Sequence, residues 1–171
     1  IDQYRLGWQG AGMHCSGDCM AEYAVLCFDE LRVALPLPCV ERVVRAAYLT
    51  ALPDAPEIVL GVVNVQGRVI PAVNMRRRFR LPDREIALAD QLVIAHTGQR
   101  SVALVADAVS GIFEYAEPDI VGAESILPGL EYVDGVVKLG DGLILIHNLG
   151  RFLSLEEGES LDRAMAMSEV A

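Results

Sequence analysis

Three residues near the start of the chain, His14, Cys15 and Cys19 in "MHCSGDCM", are of the types that bind zinc. A closed zinc site takes four such ligands, commonly built on a tight Cys-x-x-Cys knuckle. Here three residues separate the cysteines and no second cluster follows. The reading is therefore a flexible, Gly-rich leader over residues 1–20 with no metal. Cys27 and Cys39 sit in apolar runs and read as small buried hydrophobes. His96 and His147 each close a β-type run, which predicts strand-end residues with one hydrogen bond each, not acid–base catalysts. Ser110 in "LVADAVSG" lacks the G-x-S-x-G context of an activated nucleophile. "GDG" reads as a turn, and no phosphate-binding glycine pattern follows a strand. The carboxylate pairs Asp29–Glu30 and Glu156–Glu157 fall in expected turns or tails, where shifted pKa values are not expected. No catalytic residue and no cofactor is implied. The expected activity is binding.

Arg76, Arg77, Arg78 and Arg80, with Arg84 just beyond, form the one basic concentration in an acidic chain. Net charge is −10, from 24 acidic and 14 basic residues over 171 positions. Nucleic-acid affinity rests on neutralising phosphates, so this balance argues against such a partner. Only Phe79 interleaves with the arginines. A short charge run of this kind reads as a solvated face, each exposed ion pair contributing about 0–1 kcal/mol. No apolar run approaches the roughly 20 residues of a membrane helix. The first residues lack the basic-then-apolar pattern of a signal peptide. The expected location is the cytoplasm, without direct membrane insertion.

The elements that position these residues are mostly short strands. "EYAVLCF" and "LRVALPL" flank Asp29–Glu30, whose spacing suits a hairpin. Pro36 and Pro38 end the second run or place it at an edge. "CVERVV" fits a short helix or an irregular strand. "GVVNV" and "RVIPAV" flank Gln66–Gly67, a tight turn, and Pro71 predicts an edge or a bulge. Asn74 is placed to cap a helix from Met75 to Phe79. "DQLVIAH" and "RSVALVAD" flank a turn with Gly98 at its first central position, as a type II′ hairpin wants. Asp141–Gly142, between "VVKL" and "LILI", is a strong hairpin signal. Asn148 is read as the cap of an amphipathic helix over Leu149, Phe152, Leu153 and Leu155. With 53% hydrophobic residues and nine or ten strands, the fold class is all-β, barrel or sandwich.

"GVVNVQGRVIPAVNMRRRF" resembles the signature of the CheW family of chemotaxis coupling proteins through Gly61, Asn64, Gly67, Pro71, Arg76 and Phe79. "EYAVLCFDELRVALPLPCVERVV", "LVIAHTGQRSVALVADAVSGI" and "YVDGVVKLGDGLILIHNLGRFL" are similar to three further family blocks, in order. The resemblance covers residues 22–157. It implies two small intertwined five-stranded β-barrels of SH3-like type with short helices, one of them C-terminal. The expected domains are a leader over 1–20, a CheW-like domain over 21–158 and an acidic tail over 159–171. It further implies a non-enzymatic adaptor with two partners, the regulatory domain of a CheA-type histidine kinase and the cytoplasmic tip of a chemoreceptor.

Carried over by motif, the kinase-facing positions are Val40, Arg42 and Val43, and the receptor-facing ones are Gln66, Gly67, Arg68 and Val109. Glu is usual in the family where Arg42 stands, and Arg where Gln66 stands. Arg68 is the expected substitute for that missing arginine. Three other readings remain open at this point. They are a coupler for another receptor-kinase pathway such as pilus-based motility, a small-ligand-binding barrel, and a metal enzyme using His14, Cys15 and Cys19.

Overall fold

The structure is a computed structural model, and its described residues are 20–46, 48–116, 120–122, 132–139 and 142–169. His14, Cys15, Cys19 and Asp141 lie outside them, as does all of the expected leader except Met20, which opens the first strand. In chain order the elements are β1 (Met20–Phe28), β2 (Leu31–Pro36), β3 (Val40–Arg45), β4 (Val59–Val65), β5 (Arg68–Val73), α1 (Met75–Arg78), β6 (Gln91–His96), β7 (Ser101–Ala106), β8 (Ala108–Ala116), β9 (Ile120–Gly122), β10 (Val133–Leu139), β11 (Gly142–His147) and α2 (Leu155–Glu169). Short 3-10 turns occupy Leu37–Cys39 and Leu149–Arg151.

The strands form two sheets, ordered β8-β1-β2-β11-β10-β9 and β3-β6-β7-β5-β4. One therefore has six strands where five were expected; its extra member is β9, three residues long. β3 follows β2 in sequence but pairs with β6 in the other sheet, and β8 follows β7 but pairs with β1. The chain crosses between sheets at the Leu37–Cys39 turn and again at Asp107. β11 joins β2, and β5 joins β7, by parallel pairing. Each sheet is thus a hairpin from one half of the chain completed by strands from the other half. The β4–β5 pair has a register shift between Val59 and Gly61, and the β10–β11 pair has one between Val133 and Gly135.

Side-chain alternation explains why the apolar runs are nearly unbroken. On β6, Leu92 and Ile94 face the interior of the second sheet, while Val93 and Ala95 face the other way. On β1, Tyr23 and Val25 face the interior of the first sheet, while Leu26 and Phe28 face outward. The two outward faces meet in one shared core with Val33, Leu35, Val102, Leu104 and Phe152. These strands bury both faces, so period-two polarity is absent from them.

Local chemistry sets the turns. Gln66 and Gly67 have φ 51° and 83°, the two positive values of a type I′ turn, and Gly67 donates its N–H to Asn64 Oδ1 at 2.9 Å. Asn74 Oδ1 accepts from Arg76 N–H and Arg77 N–H, the expected cap. "CVERVV" is a strand with a bulge at Glu41, not a helix. Pro71 lies on β5, which is interior to its sheet and not at an edge. The proline is accommodated because the ladder to β7 pairs Ala72 and Val73, just beyond it. Asn148 makes no side-chain cap; its Nδ2 donates to Asp134 Oδ1 at 3.0 Å. The true start is at Ser154. Its Oγ accepts from Glu157 N–H at 3.1 Å and its N–H donates to Glu157 Oε2 at 2.9 Å, a reciprocal capping box. α2 then runs through residue 159, where the acidic tail was expected to begin.

The arginine run is a solvated face only at Arg77 and Arg80, which are exposed. Arg76 is 7% exposed and fills the junction of the two sheets. Its guanidinium donates to Asp29 Oδ2 at 2.8 Å, Asp107 Oδ2 at 2.6 Å and Pro82 O at 3.2 Å. Arg84 bridges Asp107 at 2.5 Å and Asp90 at 2.6 Å. Asp107 also accepts from Asp29 N–H at 2.9 Å. The β1–β2 turn, α1, the approach to β6 and the second crossover are thereby tied at one point. Contrary to expectation, Asp29 is perturbed: the bond from Arg76 holds its carboxyl below the usual range. Burial alone would raise Asp107, but Arg76, the Asp29 N–H and Arg84 outweigh it and lower its pKa.

Three substitutions probe this packing. A Cβ on Gly61 would lie 2.4 Å from Thr50 O, where Thr50 and Val62 exchange backbone bonds of 2.9 and 2.7 Å. Gly61→Ala should therefore cost about 2 kcal/mol or more in urea unfolding. Gly67→Ala meets open space and should cost only about 1 kcal/mol, for its positive φ. Asp107→Asn should cost about 2 kcal/mol at pH 7, because two arginines lose their shared carboxylate. The folded pKa of Asp107 is below its unfolded one. Its contribution is fully present above about pH 4 and disappears as pH falls through the folded value. The wild-type advantage over Asp107→Asn should therefore shrink as pH falls below about 4.

Candidate functional site

The residues carried over from the motifs fall on two neighbouring places. β3 presents Val40, Arg42 and Val43, and the β4–β5 turn presents Gln66, Gly67 and Arg68. Val40 is 9% exposed, packs in the shared core and pairs with Ala95. It supports the strand and offers little surface. Arg42 and Val43 are half-buried and pair with Ile94 and Val93. Gln66, Gly67 and Arg68 are exposed.

Glu41, the bulged residue of β3, connects the two places. Arg68 Nη2 donates to Glu41 Oε2 at 2.6 Å, and Ser101 Oγ donates to Glu41 Oε1 at 2.7 Å. Burial would raise the Glu41 carboxyl, but Arg68 and Ser101 outweigh it and hold it below the usual range. The Arg68 side chain is 55% exposed, so the pair contributes little stability yet leaves the guanidinium facet open to a partner. Glu41 stands next to the motif position at Arg42 and carried no site assignment of its own. Its signal was the extra residue in "CVERVV", which breaks strand alternation and turns the carboxylate outward.

Val109 lies apart from these, on β8 in the other sheet. It is half-buried against the shared core, and its N–H donates to Gln91 Oε1 at 2.6 Å. Ser110 is the extra residue of a bulge opposite Val25 and Leu26. An open groove of about 420 Å³ lies at the start of β1 and the end of β2. Met20, Tyr23, Leu37 and Pro38 line it, with Glu22 and Glu114 at its side. Glu22 and Glu114 are direct cross-strand partners, a like-charge pair that favours a basic group on whatever docks there. Exposed apolar side chains nearby include Ile112 and Phe113 on β8.

The two described histidines differ. His96 is exposed and its Nδ1 accepts from Gly98 N–H at 2.9 Å, as a strand-end residue should. His147 departs from that expectation. It is fully buried, and neither ring nitrogen has a hydrogen-bond partner among the described residues. Among those residues no three His, Cys, Asp or Glu side chains cluster to hold a metal, and no helix is long and apolar enough to cross a membrane. Glu157 also departs from expectation. Burial would raise its carboxyl, but the Ser154 N–H and Arg78 bring it below the usual range.

Comparison with known proteins agrees with this geometry. A family model described as a CheW-like domain matches residues 22–157, a span that includes every strand from β2 to β11 and most of β1. "Chemotaxis protein CheW" of Rhizobium meliloti (strain 1021) is 31% identical over 113 residues, covering 65% of this chain and 73% of that one. "Chemotaxis protein CheW" of Treponema pallidum (strain Nichols) is 23% identical over 128 residues, covering 71% and 75%. The crystal structure of scaffolding protein TtCheW from Thermoanaerobacter tengcongensis superposes with a TM-score of 0.74 at 23% identity, covering 81% of this chain and 96% of that one. From its interlocked sheets to its turn sequences, the chain belongs to the CheW-like family.

Proposed function

We propose that this protein is a non-enzymatic adaptor coupling chemoreceptors to a CheA-type histidine kinase in chemotaxis signalling. The observation that carries this reading is the CheW-like match over residues 22–157, which spans both sheets and both crossovers. In this reading the protein works in the cytoplasm, recruited to receptor arrays at the membrane. Arg42 and Val43 on β3 contact the regulatory domain of the kinase, with Val40 holding the strand from below. Gln66, Gly67, Arg68 and Val109 contact the receptor tip. The turn and the half-buried strand are rigid elements, which keeps the cost of ordering them on binding small. A signal passes only if these contacts differ in free energy between two receptor states.

Arg68 supports this division of labour by its position. It stands beside the turn position where the family usually has arginine, more than half of its side chain meets solvent, and Glu41 orients it. An interface arginine commonly contributes 1 kcal/mol or more. Arg68→Ala should therefore weaken binding of a purified receptor signalling fragment about fivefold or more in calorimetry. Unchanged affinity would remove Arg68 from the receptor site. Arg42→Ala should weaken the kinase regulatory domain by a similar factor and leave receptor affinity unaltered; the reverse pattern would exchange the two surfaces. For the function as a whole, the tagged chain should retain a receptor and a histidine kinase from its native lysate, and an eluate with neither would refute the reading.

A further inference from the structure

His147 is the last residue of β11, and its side chain is walled in by aromatic rings. Ring centroids of Phe79, Tyr132 and Phe152 lie 5.6, 5.9 and 5.3 Å from its own. Both ring nitrogens lack partners among the described residues. A neutral imidazole tolerates that wall, and an imidazolium does not, because a buried cation needs an acceptor. Arg78 already holds the one cation of this wall. Its guanidinium carbon sits 5.7 Å from the Tyr132 ring and 5.2 Å from the Phe152 ring.

Arg78 is also the tether of the C-terminal helix. Its Nη2 donates to Glu157 Oε2 at 2.7 Å, and its backbone carbonyl accepts from Tyr132 OH at 2.6 Å. Glu157 is the residue that closes the capping box of α2. Beyond it, Leu161 and Ala164 are the buried residues of α2, and Arg100 pairs with Asp162. Among the described residues, the charged or titratable groups that face His147 are Arg78 from α1, Tyr132 from the segment entering β10, and, through Arg78, Glu157 from α2. Phe152, immediately before the helix, is the side chain that keeps water from the imidazole on that side.

We propose that His147 is a pH-sensitive latch for the C-terminal segment Leu149–Glu169. Neutral, it completes the wall on which Arg78 and Phe152 rest, and the segment stays docked. A proton on the ring repels Arg78 and demands water, which only detachment of Phe152 and the helix supplies. Acid therefore favours an open state in which the two sheets remain folded and the segment is released.

The direction of the effect is fixed by linkage. Burial and then Arg78 depress the docked His147 pKa to about 3, against about 6.5 for a hydrated imidazole. The open state binds more protons, so docking is strongest above about pH 6.5 and weakens as pH falls below it. The carboxylates of the sheet junction act only below about pH 4, so above that pH the change is that of His147 alone among these groups.

Hydrogen exchange on the full chain tests this, with rates corrected for intrinsic pH dependence. Opening of the α2 amides should increase about tenfold from pH 7.5 to pH 5.5, the ratio for uptake of one proton at a pKa of about 6.5. Amides of β1 and β6 should not change over that range. His147→Phe and, as a second packing variant, His147→Leu should abolish the pH dependence of α2. Equal α2 protection at both pH values, the same acceleration in β1 and β6, or a pH dependence that survives in whichever variant folds would each overturn the proposal.

Discussion

The structure depends on strands that are apolar on both faces. β1, β2, β6 and β7 each send alternate residues into their own sheet's interior and the others into the core between the sheets. Removing that middle core from water is the largest driving force available to a chain of this size. It also explains the strand exchange. Neither half of the chain can cover its own hairpin, because the strands that complete each sheet come from the other half. The two sheets therefore fold as one body, and any surface on one has a fixed position relative to the other.

Interlocking creates a polar problem at the crossovers, where the chain leaves one ladder before joining the next. Asp107 sits at such a point, and Arg76 and Arg84 converge on it. A buried cation among apolar strands is expensive unless its donors are satisfied. Arg76 meets that requirement with two carboxylates and a carbonyl. The network therefore contributes register as much as stability: it selects the arrangement in which the β1–β2 turn, α1 and the second crossover meet. The junction thereby fixes how the two sheets sit against each other.

Much of this was legible in the residues. Gly67 and Gly98 marked their turns, Asn74 marked a helix cap, and the motif blocks pointed to the family. What was hidden follows from tertiary context. Whether "VERVV" is strand or helix depends on β6, which lies far along the chain. The burial of Arg76 requires Asp29 and Asp107, which the sequence keeps apart from it and from each other. Val40 carries a motif position yet serves the core. The cap at Asn148 was misplaced because an equally good cap at Ser154, with Glu157 three residues on, won the competition once Leu149 and Phe152 were drawn into the core.

The pieces combine into a physical picture of coupling. Glu41 on β3, beside Arg42 and Val43, pairs with Arg68 of the neighbouring turn, and Val109 packs against the shared core from the other sheet. The account requires that one molecule hold both partners at once. Light scattering on the purified chain mixed with the kinase regulatory domain and a receptor signalling fragment measures this directly. The predicted result is a species whose mass contains all three components. Displacement of the kinase domain as receptor fragment is added would contradict it.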